Sequence, residues 1–273
     1  MTTVFINKQE IEVEEDFSIL EAVRKAGLEL PTLCKMENHP ATGACRLCVV
    51  EVEGRRNLQA ACATPVIEGM EIRTRTRRVR EARKTLVELL LSEHCGECQT
   101  CVRNGDCELQ AIAREMNIRE IRYPGERCTD GMDISTPALV RESGKCIKCR
   151  RCVTVCNEVQ GVGSLYPQRR GFSTRIGPAF TMELGDVPCV QCGQCAAVCP
   201  VGAIAERDHT AEVWDALNDP EQHVVVQTAP AIRAALGECF DYSPGTRVTG
   251  KMTSALRALG FDAVFDTNFA ADL

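Results

Sequence analysis

Large aromatic side chains are scarce in this 273-residue chain, at 4% of the total, with one tryptophan and three tyrosines. A core built on stacked rings is thereby excluded as its main support. Long apolar runs are missing as well: no stretch reaches the 18 or more residues that a membrane span needs. The opening Met1-Thr2-Thr3-Val4-Phe5-Ile6 carries neither the basic start nor the apolar middle of a secretory signal. Positive charge is outweighed, with 32 Lys and Arg against 38 Asp and Glu for a net −6, which argues against a nucleic-acid partner. The expected setting is a reducing cytoplasm, where dense cysteine means metal before disulfide.

Cysteine is what the chain has, 18 in all. Two runs share one spacing: Cys146-x2-Cys149-x2-Cys152-x3-Cys156 and Cys189-x2-Cys192-x2-Cys195-x3-Cys199-Pro200. Three thiolates within seven residues wrap one corner of a cubane, and the fourth of each run serves the other run's cluster in two-cluster ferredoxins. The expected sets are therefore Cys146, Cys149, Cys152 and Cys199 on one [4Fe–4S] centre, and Cys189, Cys192, Cys195 and Cys156 on another. Zinc, the alternative, favours two separated C-x2-C pairs around one ion, and a displaced fourth cysteine occurring twice disfavours it. The stretch 157–188 between the runs, with Gly161, Gly163, Gly171, Gly177 and Pro178, predicts an inserted loop or hairpin.

Residues 1–79 read as a small α+β unit. Val4, Ile6, Ile11 and Val13 alternate as two strands around an Asn7-Lys8-Gln9-Glu10 turn. Ser18 and Glu21 form a capping box for a helix through Ala26, with Gly27 placed to end it. Cys34-x10-Cys45-x2-Cys48-x13-Cys62 follows, a β-grasp ferredoxin order that predicts a [2Fe–2S] site. The first gap is wider than the four residues of plant-type ferredoxins. Gly43 suits close backbone approach to sulfur, because glycine accepts φ > 0.

Residues 80–125 predict helices, from Val79, Ala82, Leu86 and Leu89 and from Leu109, Ile112, Ala113 and Met116 at three- and four-residue intervals. Between them His94-x3-Cys98-x2-Cys101-x5-Cys107 offers one imidazole and three thiolates to a third [4Fe–4S] centre. A neutral ligand leaves that centre less negative and raises its potential. Arg73, Arg75, Arg77, Arg78, Arg80, Arg83 and Lys84 make a basic run, read as a solvated face or as a dock for an acidic subunit. Cys95, Cys128 and Cys239 fit no cluster and are expected to be buried structural thiols.

Beyond residue 210 the pattern turns α/β: a strand at Val224–Gln227, a turn at Thr228-Ala229-Pro230, helices over Ala231–Leu236 and Lys251–Leu259, and a strand at Ala263–Phe265. Gly245-x4-Gly250-Lys251 is not a P-loop, since Met252 stands at the Ser/Thr position. Gly161-Val162-Gly163 lacks the third glycine of a dinucleotide site.

Taken together, these motifs resemble the N-terminal two-thirds of a clostridial-type or electron-bifurcating [FeFe]-hydrogenase subunit, and the first parts are similar to complex I's large iron–sulfur subunit. The tail carries the hydrogenase likeness in Thr228-Ala229-Pro230-Ala231-Ile232-Arg233, Thr249-Gly250-Lys251, Leu259-Gly260-Phe261-Asp262 and Phe265-Asp266-Thr267-Asn268-Phe269-Ala270-Ala271-Asp272. The family's H-cluster cysteines would lie beyond Leu273, and Cys239 matches none of them. The resemblance implies an α+β chain of four modules. These are a β-grasp [2Fe–2S] domain (1–79), a helical domain with the one-histidine, three-cysteine [4Fe–4S] site (80–125), a two-[4Fe–4S] ferredoxin domain (126–209) and a short α/β segment (210–273). It implies an electron-transfer subunit of an NAD(P)-linked oxidoreductase complex with no catalytic site of its own, or the relay part of a hydrogenase. The implied partners are a flavin-containing NAD(P)H-oxidoreductase subunit, a small [2Fe–2S] subunit and soluble ferredoxin.

Overall fold

The computed structural model describes residues 1–128 and 131–271, so Asp272 of the tail motif and Leu273 lie outside the described residues. The chain divides into two compact units, Met1–Arg207 and Asp208–Leu273.

In the first unit, alternation yields β1 (Thr2–Ile6) and β2 (Gln9–Val13), antiparallel with Val4 opposite Ile11. The turn is tighter than expected. Asn7 and Lys8 alone connect the strands, at φ 51° and 74°, as a two-residue hairpin between right-twisted strands demands. Gln9 and Glu10 belong to β2. Ser18 Oγ accepts from Glu21 N at 3.3 Å while the Glu21 carboxylate accepts from Ser18 N at 2.7 Å, so the capping box opens α1 (Ile19–Lys25). Ile19, Leu20, Ala22 and Val23 of that helix are fully buried, each larger side chain contributing about 1.5–3 kcal/mol. With β3 (Val49–Val52), β4 (Gln59–Ala60) and β5 (Met70–Arg73) they share a core under a five-stranded sheet of order β2-β1-β5-β3-β4.

Thr76 caps α2 (Arg77–Glu93), its Oγ1 accepting from Val79 N at 3.2 Å. The buried stripe runs through Val79, Arg83, Val87 and Glu88, whereas Leu89, expected on it, is 43% exposed. Glu88 takes the inward place because Arg122 Nε donates to it at 2.8 Å. The basic run is largely spent within the chain. Arg83 is buried and donates to Val49 O at 2.8 Å, Arg73 pairs with Glu53 at 2.7 Å, Arg77 with Glu81 at 2.7 Å, and Arg78 donates to Arg56 O at 2.6 Å. Helix α3 (Glu108–Glu115) follows with Leu109 buried.

Next come β6 (Met132–Asp133) and β7 (Leu139–Glu142), then α4 (Arg151–Thr154) inside the first cysteine run. The stretch 157–188 holds a hairpin, β8 (Tyr166–Gln168) with β9 (Arg175–Gly177). Helix α5 (Gln194–Ala197) lies inside the second run, and β10 (Ile204–Glu206) returns to complete a sheet of order β10-β7-β6.

The second unit contains α6 (Thr210–Asn218), β11 (Val225–Thr228), α7 (Ile232–Ala235), α8 (Thr249–Ala258), β12 (Ala263–Asp266) and α9 (Thr267–Ala271). The strands pair in parallel, Val225 opposite Ala263, and Arg233 clamps the end of β12 through Asp266 at 2.7 Å. Gly245 occupies a turn, and Lys251 lies over the Tyr242 ring, 4.4 Å from its centroid. Among the described residues no helix is long and apolar enough to cross a membrane.

One buried carboxylate ties together the walls of the ferredoxin part. Asp133, 7% exposed, accepts from Arg141 Nη2 at 3.1 Å, Ser135 Oγ at 2.6 Å and Leu184 N at 3.0 Å. Burial raises its pKa, but the Ser135 and Leu184 hydrogen bonds and the Arg141 charge outweigh that and leave it lowered. Its stabilisation is therefore full above the ordinary Asp pKa and is lost as pH falls through the lowered folded value. Asp133→Ala strands Arg141 and is expected to cost about 3 kcal/mol. Hydrogen exchange should show faster opening of residues 132–142 and 175–185, while α1 keeps its protection.

Candidate metal centres

Each ferredoxin-type run wraps its cysteines with the same unusual backbone. Lys148 (φ 58°) and Arg150 (φ 68°) in the first run match Gln191 (φ 53°) and Gly193 (φ 75°) in the second. A non-glycine residue in that region costs roughly 1–2 kcal/mol, so its repetition at equivalent positions marks a shape the cysteines require. The turns aim backbone N–H groups at sulfur: Lys148 N donates to Cys146 Sγ at 3.4 Å, and Ser164 N to Cys156 Sγ at 3.3 Å. Cys146, Cys149 and Cys152 line one cavity with Cys199, not with their own fourth cysteine. Cys189, Cys192 and Cys195 line another with Cys156. Burial pushes Cys146 up to about 11, Cys149 to about 12 and Cys195 to about 11, and Cys152 well above the ordinary thiol value. Such sulfurs become thiolates only when bound cations displace their protons. An all-sulfur, tetrahedrally disposable donor set of this kind suits iron–sulfur centres.

Cys34, Cys45, Cys48 and Cys62 converge in the loop after α1, all buried. The Cys45 and Cys62 thiols hydrogen-bond Cys34 and hold its pKa far down, while their own are driven far up; Cys62 also brings Cys48 down to about 7. Leu33 N donates to Cys45 Sγ at 3.4 Å and Cys62 N to Cys48 Sγ at 3.5 Å. Gly43 takes the left-handed conformation, φ 60°, and Arg46 beside it does so too at 59°. The Thr42 hydroxyl is buried in this loop without a well-formed hydrogen bond, close enough to Cys34 to help lower that thiol's pKa. An unspent hydroxyl among four converging sulfurs fits a bound group with acceptor sulfur.

His94, Cys98, Cys101 and Cys107 line a more open cleft of about 590 Å³. His94 is 8% exposed; burial and the Lys145 charge lower its pKa, which keeps the ring neutral near pH 7. Its Nδ1 accepts from Gly96 N at 3.0 Å. A neutral imidazole has one lone pair, so ligation through Nε2 moves the ring proton to Nδ1 and breaks the Gly96 bond. Gly202, after the second run, has no side chain for a clear reason: a Cβ there would sit 2.4 Å from Cys101 Sγ.

The three remaining cysteines depart from the expected buried thiols: Cys95 and Cys128 are half-buried and Cys239 is exposed. Cys95 Sγ clusters with the Glu97 and Glu142 carboxylates, apart from the residues lining the His94 cleft. Sequence reasoning also missed Gly202, Thr42 and Arg151, the last pairing with Glu108 through both terminal nitrogens at 2.6 and 2.8 Å. A glycine or arginine next to a cysteine motif carries no signal of its own; only the fold brings them to the sulfurs.

Comparison with known proteins follows the same division. Residues 1–77 match a 2Fe-2S iron-sulfur cluster binding domain, 83–122 the NADH-ubiquinone oxidoreductase-G iron-sulfur binding region, and 145–203 a 4Fe-4S dicluster domain. Residues 222–273 match the C-terminal domain of the iron only hydrogenase large subunit. The chain is 49% identical over its whole length to the NADP-reducing hydrogenase subunit HndD of Solidesulfovibrio fructosivorans, and 36% identical to iron hydrogenase 1 of Clostridium pasteurianum. It spans 48% of the length of each. A chain of the NAD+-reducing [NiFe]-hydrogenase crystal structure in the H2-reduced state superposes with a TM-score of 0.70 at 31% identity, covering 76% of this chain and 87% of that one. The chain belongs to the iron–sulfur subunit family of the [FeFe]-hydrogenases, which it shares with NAD(P)-linked hydrogenases and the G subunit of NADH–quinone oxidoreductases.

Proposed function

We propose that this chain relays single electrons between a flavin-containing NAD(P)H-oxidoreductase subunit, with its small [2Fe–2S] companion, and a second redox partner or soluble ferredoxin. The relay has one [2Fe–2S] centre on Cys34, Cys45, Cys48 and Cys62 and three [4Fe–4S] centres. Of these, one is on His94, Cys98, Cys101 and Cys107, one on Cys146, Cys149, Cys152 and Cys199, and one on Cys189, Cys192, Cys195 and Cys156. Four modules carry it, the β-grasp domain 1–79, the helical domain 80–125, the ferredoxin domain 126–209 and the α/β segment 210–273, in a reducing cytoplasm. The observation that carries this reading is the exchange of fourth cysteines between the two runs, Cys199 and Cys156 each lining the other run's cavity.

When bound, such centres supply one-electron transfer at potentials set by ligand charge, hydrogen bonds to sulfur and burial. The chain's own residues hold the sulfurs in place, donate backbone N–H groups to them and exclude water. No general acid or nucleophile is required. A second reading, the relay portion of an [FeFe]-hydrogenase, is favoured by the match of residues 222–273 to that family's C-terminal domain. Transcript mapping across the coding region separates the two by whether cysteine motifs follow in frame.

Anaerobic iron analysis with low-temperature EPR is the direct test. About fourteen irons per chain are expected, from one two-iron and three four-iron centres; stoichiometric zinc with no EPR signal would sink the proposal. Cys199→Ser should remove the signal of the centre anchored by the first run, and Cys156→Ser that of the second. The opposite assignment would refute the exchange. His94→Cys should retain the third four-iron centre but move its midpoint potential in the negative direction, since a thiolate adds one negative charge where the imidazole has none. An unchanged potential would remove His94 from the ligand set.

A further inference from the structure

Resting on the relay reading, we propose that Arg151 is a positioning residue for the centre on Cys146, Cys149, Cys152 and Cys199: its guanidinium is a fixed buried cation whose free Nε–H donates to a sulfur of that centre and raises its potential.

Arg151 opens α4 immediately after the left-handed Arg150 and immediately before Cys152. Its side chain is 13% exposed. Both terminal nitrogens are taken by one carboxylate, Nη1 to Glu108 Oε1 at 2.6 Å and Nη2 to Oε2 at 2.8 Å. Glu108 itself follows Cys107 on the first turn of α3. This two-pronged grip fixes the guanidinium plane and leaves Nε as its one uncommitted donor. That atom is buried with no partner. A buried N–H without an acceptor is rare and costs about 1–3 kcal/mol.

The orphan atom alone does not decide the matter, because Arg83, Arg103 and Arg233 also have a buried, unpartnered Nε. Arg233 lies in the second unit, away from any cysteine run, and its clamp on Asp266 is single-pronged. Arg151 differs in its surroundings. Its own backbone N–H donates to Cys149 Sγ, and the sulfurs of Cys149 and Cys34 act on its charge. The ion pair with Glu108 is neutral overall, so the sulfurs feel a dipole with its positive end toward them. Adding one electron makes the centre more negative. A hydrogen bond and a positive dipole at its sulfurs therefore stabilise the reduced form more than the oxidised one.

The test uses the full chain, purified anaerobically as wild type, Arg151→Met, Arg151→Lys and Glu108→Gln. Each is assayed for iron and titrated with dithionite under EPR, following the signal that Cys199→Ser abolishes. At the wild-type midpoint, Arg151→Met is expected to lower the reduced-to-oxidised ratio of this centre about tenfold, the size of one hydrogen bond to a charged group. The signal of the centre on Cys189, Cys192, Cys195 and Cys156 should keep its midpoint. Arg151→Lys keeps a charge without the Nε–H and should fall between. Glu108→Gln frees the guanidinium from its counter-charge and should move the midpoint the other way. Full iron with an unmoved midpoint in Arg151→Met overturns the proposal. So does loss of this centre's iron in both Arg151 variants, which reduces the residue to a structural prop. A wild-type protein without this signal refutes the relay reading instead.

Discussion

Everything in the first unit follows from gathering many sulfurs into one apolar core. Cys34, Cys45, Cys107, Cys149, Cys152, Cys195 and Cys199 are buried in the same cluster as Leu33, Leu47, Val87, Leu109 and Leu139. In such surroundings a bare thiolate is unstable, as the raised values at Cys146, Cys149, Cys152 and Cys195 record. The chain answers with donors. Backbone N–H groups point at Cys45, Cys48, Cys146 and Cys156, and the left-handed residues at 46, 148, 150 and 191 turn the backbone to make this geometry. Their conformational cost is sensible only where something at the centre of the loop returns it.

The cysteine segments do not stand as separate beads. Gly202, from the end of the ferredoxin part, makes room for Cys101 of the helical part. Glu108 N donates to Pro200 O at 3.0 Å, Cys95 N to Gly144 O at 3.0 Å, and the Glu108–Arg151 pair crosses the same boundary. Each set of donor atoms therefore has walls supplied by a neighbouring segment. For electron transfer this matters more than the stability of any one loop, because tunnelling depends on fixed separations, and shared walls fix them. It also accounts for the shortage of aromatic residues: metal–thiolate bonds and interlocked loops perform the bracing that large rings provide elsewhere.

The sequence spoke clearly where chemistry depends on spacing. Cysteine intervals carry ligand geometry directly, the Ser18–Glu21 pair announced a helix start, and period-two alternation placed β1 and β2. It was silent where a residue acts through the fold. The apolar stripe of α2 was drawn through Leu89, yet Glu88 turns inward because Arg122, distant in sequence, is there to meet it. Non-glycine residues with positive φ have no sequence signature, so Arg46, Lys148, Arg150 and Gln191 were unforeseeable, whereas Gly43 was not. In the second unit the strand expected at Val224–Gln227 begins one residue later, and α8 starts at Thr249 before the expected Lys251. Such end shifts arise because capping contacts, not hydropathy, decide where an element stops.

The same distinction bears on how the proposed relay orders its potentials. Three of its centres share an iron count, so ligand number cannot separate them. Their surroundings differ. His94 contributes a neutral ring beside the buried Lys145–Glu142 ion pair, at 2.5 Å, in an open cleft. The first ferredoxin-type site is enclosed and faces Arg151. The second has Cys192 exposed, next to Val190 at 66% exposure. Ligand charge, a buried cation and solvent access each shift a potential by a different physical route. A downhill path for electrons is thus written less in the cysteines, which are interchangeable, than in the lysine, arginine and histidine that the fold sets beside them.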